Sequence, residues 1–180
     1  FTMIKPGALQ RANGGYLVAP RLINRVTDGK GRVLQQADRP VLDESMRTLD
    51  ARNAFVMTTL LQEVARSGTA ARAQSTLKRA DIYGKTGTTN DSMDAWFAGW
   101  HASVVAVVWI GYDNPKKLGD RETGGGLALP VWIEYMAQVL KGAPAKEAVA
   151  PDGVVNVGGD WIYEEYAHGA GIGSLGLDEK

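Results

Sequence analysis

A lysine and three threonines stand close together in one short run of the sequence, YGKTGTT at residues 83–89. The ammonium group of Lys85 can attract an anion, and threonine hydroxyls can donate hydrogen bonds to the same anion. A phosphate-binding loop uses a similar combination, but it needs a glycine five residues before its Gly-Lys-Thr. That position holds Arg79, and Asp81 would lie close to the phosphate, so we reject this interpretation. Three common residues such as Lys-Thr-Gly are also compatible with a plain strand end that runs into a turn.

The composition limits the chemistry that is available. Hydrophobic residues make up 44% and charged residues 22% of the 180 residues, as in an ordinary packed domain. Twenty basic residues balance twenty acidic ones, which argues against a nucleic-acid partner. The absence of cysteine excludes disulfides, thiol catalysis and zinc–thiolate sites. No run of about 18 apolar residues is present to span a membrane, and we predict neither a metal nor a cofactor.

The run lies in a region whose pattern predicts an antiparallel sheet. Turn residues separate three predicted strands, at 82–88, 94–100 and 103–112, and an earlier hairpin is predicted from strands at 21–27 and 32–36. Residues 104–110 are nearly all apolar, which predicts a central strand covered on both faces.

Two helices are predicted beside this sheet. The first spans residues 51–66, because Asp50 can cap it and Gly68 follows its end. The second spans residues 129–140, with Pro130 tolerated in its first turn. The predicted fold class is therefore α+β, an antiparallel sheet flanked by these helices.

The remaining segments are predicted to lack regular structure. Residues 1–20 read as a loop, and residues 72–79 as a polar linker that leads into the first strand of the sheet. From residue 143 onward glycine, proline and polar residues dominate, which predicts a loosely ordered tail with one anchored turn near Trp161 and Tyr166. The predicted division is thus a domain at 1–142 and a tail at 143–180.

Taken in order, the motifs resemble the transpeptidase domain of the class A (bifunctional) penicillin-binding proteins. The resemblance covers about residues 12–142 and rests on NGGY at 13–16, KTGTTND at 85–91, DAWF at 94–97, WIGYD at 109–113 and LPVW at 129–132. It implies the carboxy-terminal part of an incomplete penicillin-recognising domain. It also implies a periplasmic D,D-transpeptidase, anchored in the inner membrane by its parent protein, whose partners are peptidoglycan stem peptides and β-lactam antibiotics.

The resemblance assigns roles to the Lys-Thr-Gly strand. Lys85, Thr86 and Thr88 would bind the carboxylate of a stem peptide or a β-lactam, and Gly87 would leave space for the substrate beside the strand. The backbone N–H of Thr88 would be one of two donors to the oxyanion, a contribution of roughly 2.7–4 kcal/mol to the barrier. Lys85 and Thr88 are therefore the predicted catalytic residues of this chain.

The serine nucleophile is predicted to be absent from this chain. The family site also needs Ser-x-x-Lys and Ser-x-Asn, both before Lys-Thr-Gly. Ser75 and Lys78 spell the first motif but lie in the predicted polar linker, where no supporting shell is expected. Ser92 follows the Lys-Thr-Gly run instead of preceding it. We therefore predict that a second polypeptide or a preceding segment completes the site, and that the chain alone is inactive.

Two other functions stay open at this point. A serine β-lactamase fragment would need its own Ser-x-x-Lys and a deacylating base, and neither is found. A non-catalytic module could use the same cleft to bind peptidoglycan or a partner.

Overall fold

The computed structural model describes residues 15–18, 21–38 and 41–169 of the chain. Its first element is a hairpin of two short antiparallel strands, β1 (Arg25–Thr27) and β2 (Val33–Gln36). The carboxylate of Asp28 stabilises the turn, because it accepts hydrogen bonds from the main-chain N–H groups of Lys30 and Arg32, each at 2.9 Å. The predicted hairpin is confirmed, with strands shorter than expected. The predicted loop over residues 1–20 lies mostly outside the described residues.

The described residues contain three α-helices: α1 (Ala51–Arg66), α2 (Ala71–Leu77) and α3 (Leu129–Val139). Asp50 caps α1, since its side chain accepts a hydrogen bond from the N–H of Arg52 at 2.9 Å. Pro130 occupies the first turn of α3, where its missing N–H costs nothing. The predicted bounds of both long helices are confirmed to within one residue, because these start signals are local.

The central feature is a three-stranded antiparallel sheet of β3 (Tyr83–Thr88), β4 (Ala95–His101) and β5 (Val104–Ile110), in that order. The register pairs Thr88 with Ala95, and Ala95 in turn with Ile110. One face of the sheet packs on α3 and forms the core. There the rings of Phe97 and Trp132 meet edge to face at 4.9 Å, and the indole N–H of Trp132 donates to the carbonyl of Ala106 at 3.1 Å.

The prediction that β5 is a central strand covered on both faces is wrong. Among the described strands β4 is central and β5 is an outer strand. Burial alternates along β5, so that Val105, Val107 and Trp109 stay 37%, 43% and 41% exposed. An apolar run cannot distinguish a strand buried on both faces from one whose second face is also apolar but open.

The segment predicted as a polar linker contains the helix α2. Ala70 and Ala73 are fully buried in the core, and this packing favours a helix despite the polar residues around them. The helix ends at Leu77, and the next residue, Lys78, has a left-handed φ of 53°.

The expectation of a loosely ordered segment is wrong for residues 143–169. They include a second hairpin, β6 (Val154–Val157) and β7 (Asp160–Tyr163), and a 3₁₀ turn at Glu164–Tyr166. The hairpin is attached to α1: the ring of Trp161 meets that of Phe55 at 5.0 Å, and Arg52 forms an ion pair with Glu165 at 2.9 Å. The predicted anchored turn is therefore present, and residues 170–180 of the predicted tail lie outside the described residues. None of the helices in the described segments is long and apolar enough to cross a membrane.

Candidate substrate-binding strand

Strand β3 presents one free edge, since only β4 pairs with it among the described strands. The N–H of Thr89 donates to the carbonyl of Asp94 at 3.1 Å, at the point where the two strands separate. Hydrogen-bonding direction alternates along an antiparallel strand, so the backbone groups of Thr88 and Thr86 point away from β4. The N–H of Thr88 is thereby directed to the open edge, where a donor to an incoming carbonyl oxygen would have to lie.

Lys85 lies at the same edge. Its side chain is exposed, and its ammonium donates to the carbonyl of Thr86 at 2.9 Å and approaches the hydroxyl of Thr86 at 3.3 Å. The carbonyl of Thr86 can accept this hydrogen bond because it does not pair with β4. The cation is therefore held beside both the free backbone edge and a threonine hydroxyl.

Two groups from elsewhere in the chain contact the threonine hydroxyls of β3. Thr69, in the turn between α1 and α2, places its hydroxyl oxygen 2.9 Å from that of Thr86. The main-chain N–H of Gly124 donates to the hydroxyl of Thr88 at 3.1 Å. Neither threonine side chain is therefore free to rotate without the loss of a hydrogen bond.

Gly124 belongs to a π-helical turn, Gly124–Ala128, which we call the glycine turn. Thr123 caps it, because its hydroxyl accepts a hydrogen bond from the N–H of Gly126 at 3.1 Å. A Cβ on Gly124 would lie 2.3 Å from the carbonyl oxygen of Trp96 and 2.5 Å from that of Gly87. Only glycine allows the turn to lie this close to the backbone of β3.

Packing against the neighbouring strand also explains why residue 87 is a glycine. A Cβ at this position would lie 3.2 Å from the Cβ of Trp96 on the neighbouring strand, closer than an ordinary contact. A side chain on Gly87 would thus displace Trp96.

A buried polar cluster fixes the other end of β3. Asp81 has no exposed surface and receives two hydrogen bonds from Arg79, at 2.8 and 2.7 Å. The main-chain N–H of Lys146 donates to the same carboxylate at 2.7 Å, and a ring nitrogen of His101 lies 3.1 Å from it. Burial would raise the pKa of Asp81, but the hydrogen bonds from Arg79 and Lys146 outweigh it and lower the pKa to about 2. The carboxylate is ionised at neutral pH and joins β3 to the segment at 143–148.

A family model described as "Penicillin binding protein transpeptidase domain" matches residues 10–137 of the chain. The chain belongs to this family. The region matched contains β3, the glycine turn and nearly all of α3.

Curated relatives agree with this assignment. The chain is 46% identical over 156 residues to penicillin-binding protein 1A of Neisseria lactamica, an alignment that covers 86% of the chain and 19% of the relative. It is 38% identical to penicillin-binding protein 1A of Pseudomonas aeruginosa, covering 81% of the chain and 23% of the relative. The chain therefore spans about a fifth of the length of these relatives. The resemblance to class A penicillin-binding proteins is confirmed.

Solved structures show the same fold. The crystal structure of penicillin-binding protein 1A from Haemophilus influenzae superposes with a TM-score of 0.72 at 30% identity, over 83% of this chain and 28% of that one. The D,D-transpeptidase domain of a peptidoglycan glycosyltransferase from Eggerthella lenta superposes with a TM-score of 0.54 at 26% identity. The predicted α+β fold of an incomplete penicillin-recognising domain is confirmed, and a β-lactamase fragment is not favoured.

Within this transpeptidase-family chain, the four residues singled out from the sequence lie together on β3. Lys85 and Thr88 are exposed, and Thr86 and Gly87 are half-buried. Their roles in binding and catalysis stay predictions. Ser75, by contrast, lies in α2, where its hydroxyl donates to the carbonyl of Arg72 at 3.2 Å.

Nothing in the sequence indicated that Thr69, the glycine turn and the polar cluster around Asp81 contribute to the site. Three consecutive glycines follow Thr123, and such a run suits a close approach of two backbones. The partner of Thr69 lies 17 residues away in the chain, and Asp81 has, besides the nearby Arg79, partners that lie 20 and 65 residues away, so neither contact could be read from the local sequence.

Proposed function

We propose that the chain supplies the carboxylate-binding strand of a D,D-transpeptidase that cross-links peptidoglycan stem peptides. Lys85, Thr86 and Thr88 bind the carboxylate of the terminal D-alanine, and the N–H of Thr88 donates to the carbonyl oxygen under attack. β-Lactams bind at the same place, since they present a carboxylate and a reactive carbonyl in a similar relation.

One observation supports this proposal above the others: a cation, two oriented hydroxyls and an outward-directed N–H lie within four consecutive residues of a free strand edge. The substrate backbone can lie along this edge, where the N–H of Thr88 is unpaired by β4. A donor so placed stabilises the negative charge that develops on a carbonyl oxygen during acyl transfer.

The reaction proposed is a two-step acyl transfer. A serine hydroxyl attacks the carbonyl of the penultimate D-alanine and forms an ester, while the amide bond breaks and the terminal D-alanine leaves with the proton. The amine of a neighbouring stem then attacks the ester, forms the cross-linking amide and returns a proton to the serine oxygen.

The serine and its neighbouring lysine are proposed to come from residues outside this chain, in a preceding segment or a second polypeptide. The same holds for the Ser-x-Asn element and for a membrane anchor. The site would face the periplasm and would be a target of β-lactam antibiotics. Of the three site elements, we assign Lys-Thr-Gly to these 180 residues and the other two to residues outside them.

Intact mass spectrometry after incubation with benzylpenicillin tests the proposal. The protein is expressed as encoded, with any residues that flank this chain, and the adduct is located by peptide mapping. We expect one penicilloyl adduct on a serine outside these 180 residues, unchanged in a Ser75→Ala variant. An adduct on Ser75 would overturn the assignment of the nucleophile. Absence of any adduct would indicate a non-catalytic module instead.

The role of Lys85 is tested in the same protein. A hydrogen bond to a charged group contributes about 1.5–3 kcal/mol, so Lys85→Gln should slow acylation by benzylpenicillin roughly 10- to 100-fold. Lys141→Gln is the matched control, since Lys141 is an exposed lysine beyond the end of α3. Equal rates for the two variants would contradict the role given to Lys85.

A further inference from the structure

The two threonine hydroxyls of the Lys-Thr-Gly strand each have a partner behind them. Thr88 accepts from the N–H of Gly124, and Thr86 shares a hydrogen bond with Thr69. Thr69 precedes β3 in the chain, and Gly124 follows it. Neither residue belongs to the Ser-x-x-Lys, Ser-x-Asn or Lys-Thr-Gly motif.

Donor counting shows what these contacts do. A hydroxyl has one hydrogen to donate and two lone pairs with which to accept. A backbone N–H can only donate, so the contact from Gly124 occupies a lone pair of Thr88 and leaves its hydrogen available for another acceptor. The ammonium of Lys85 likewise occupies a lone pair of Thr86.

The hydroxyl of Thr69 completes the same arrangement at Thr86. When Thr69 donates to Thr86 across the 2.9 Å contact, both lone pairs of Thr86 are occupied, one by Thr69 and one by Lys85. The hydrogen of Thr86 is then left to donate outward. A carboxylate, which only accepts, is the group that selects this direction of the hydrogen bond.

The glycine turn holds Thr69 and β3 together. A Cβ on Gly125 would lie 3.1 Å from the carbonyl oxygen of Thr69 and 3.8 Å from the Cγ2 of Thr86. The turn therefore contacts both threonines on one side and the backbone of Gly87 on the other. Its small residues keep these three segments in fixed relative positions.

We infer that Thr69 is a positioning residue for carboxylate recognition, because its hydroxyl orients that of Thr86 as a donor. This inference rests on the proposed function. It predicts a specific loss: without the Thr69 hydroxyl, ligands that carry a carboxylate lose affinity, and ligands that lack one do not.

The test compares benzylpenicillin with its methyl ester, which keeps the β-lactam but has no carboxylate. Second-order acylation rates are measured on the protein as encoded, for the wild type and for Thr69→Val, Thr69→Ser, Thr86→Val and the double Val variant. Valine keeps the β-branched shape of threonine at this exposed position, and serine restores the hydroxyl.

We expect Thr69→Val to slow acylation by benzylpenicillin about 5- to 10-fold and acylation by the ester less than 2-fold, as befits one hydrogen bond. Thr69→Ser should restore the rate. In the Thr86→Val background, the further change at Thr69 should have no effect, because the hydroxyl that it orients is gone.

Each other outcome overturns the inference. Equal losses for both ligands would show a general structural role, and no loss would show that Thr69 is dispensable. A full further loss in the Thr86→Val background would show that Thr69 contacts the ligand itself. If the wild type is not acylated by either ligand, the proposed function is wrong, and the inference is wrong with it.

Discussion

At the scale of single residues, Asp81 shows how a buried charge can be maintained next to a binding strand. Its carboxylate has no exposed surface, yet Arg79, His101 and the N–H of Lys146 surround it. An isolated carboxylate would be neutral in such surroundings, so its partners are what keep it charged. The consequence is a dependence of stability on pH.

The pKa of Asp81 is about 2 in the folded chain, against about 3.9 for an unperturbed aspartate. A lowered pKa stabilises the folded state above about pH 4, and this stabilisation is lost as the pH falls towards 2. The stabilisation is on the order of 2–3 kcal/mol, since one pKa unit corresponds to about 1.4 kcal/mol. The free energy of unfolding in urea should therefore fall more between pH 7 and pH 2.5 for the wild type than for Asp81→Asn. Equal differences would contradict the assignment.

The same substitution should also lower stability at neutral pH. Asparagine leaves Arg79 half-buried without a charged partner, and the loss of one member of a buried pair costs about 3 kcal/mol. Arg32→Gln is a control, since its ion pair with Asp28 is exposed on the arginine side and an exposed pair contributes less than about 1 kcal/mol. The free energy of unfolding in urea measures both changes, and a loss of similar size in the two variants would argue against a special role for the cluster.

At the scale of elements, the glycine turn is a spacer that works by the absence of side chains. Gly124→Ala would place a Cβ 2.3 Å from the carbonyl oxygen of Trp96, and backbone atoms cannot move aside cheaply. We expect this substitution to lower the free energy of unfolding by about 1–3 kcal/mol, as is typical of overpacking. Gly126→Ala is the matched control in the same turn, because its nearest neighbour would be the hydroxyl of Thr123 at 3.5 Å, an ordinary contact. Thermal unfolding should separate the two variants, and equal melting temperatures would contradict the spacer role.

The elements also show which parts of the fold the sequence could predict. The bounds of α1 and α3 follow from Asp50, Gly68 and Pro130, whose effects are local. The helix α2 and the hairpin β6–β7 were missed because packing stabilises them: buried alanines hold the first, and Phe55 holds the second through Trp161. The Lys-Thr-Gly strand was recognised because its residues are consecutive in the sequence. Thr69 lies 17 residues before Thr86 and contacts it only after the chain has folded.

At the scale of the whole molecule, the second face of β5 is an apolar surface that the described residues leave exposed. Val105, Val107 and Trp109 form an exposed apolar row on β5, which is an outer strand among the strands that the structure describes. No described strand pairs with its second edge. Proteins seldom leave such an edge uncovered in solution. The 180-residue chain by itself is therefore expected to associate through this strand.

Sedimentation velocity over a range of concentrations tests this expectation. The substitution Val107→Lys adds a charge in the middle of the row and should lower the association constant roughly tenfold or more. The free energy of unfolding should change little, because Val107 is 43% exposed. Val131→Lys is the matched control: that valine is 49% exposed but lies on α3, where the backbone groups are satisfied within the helix. If both variants associate as the wild type does, this strand is not the surface involved. If Val131→Lys alone dissociates the chain, the contact lies on α3.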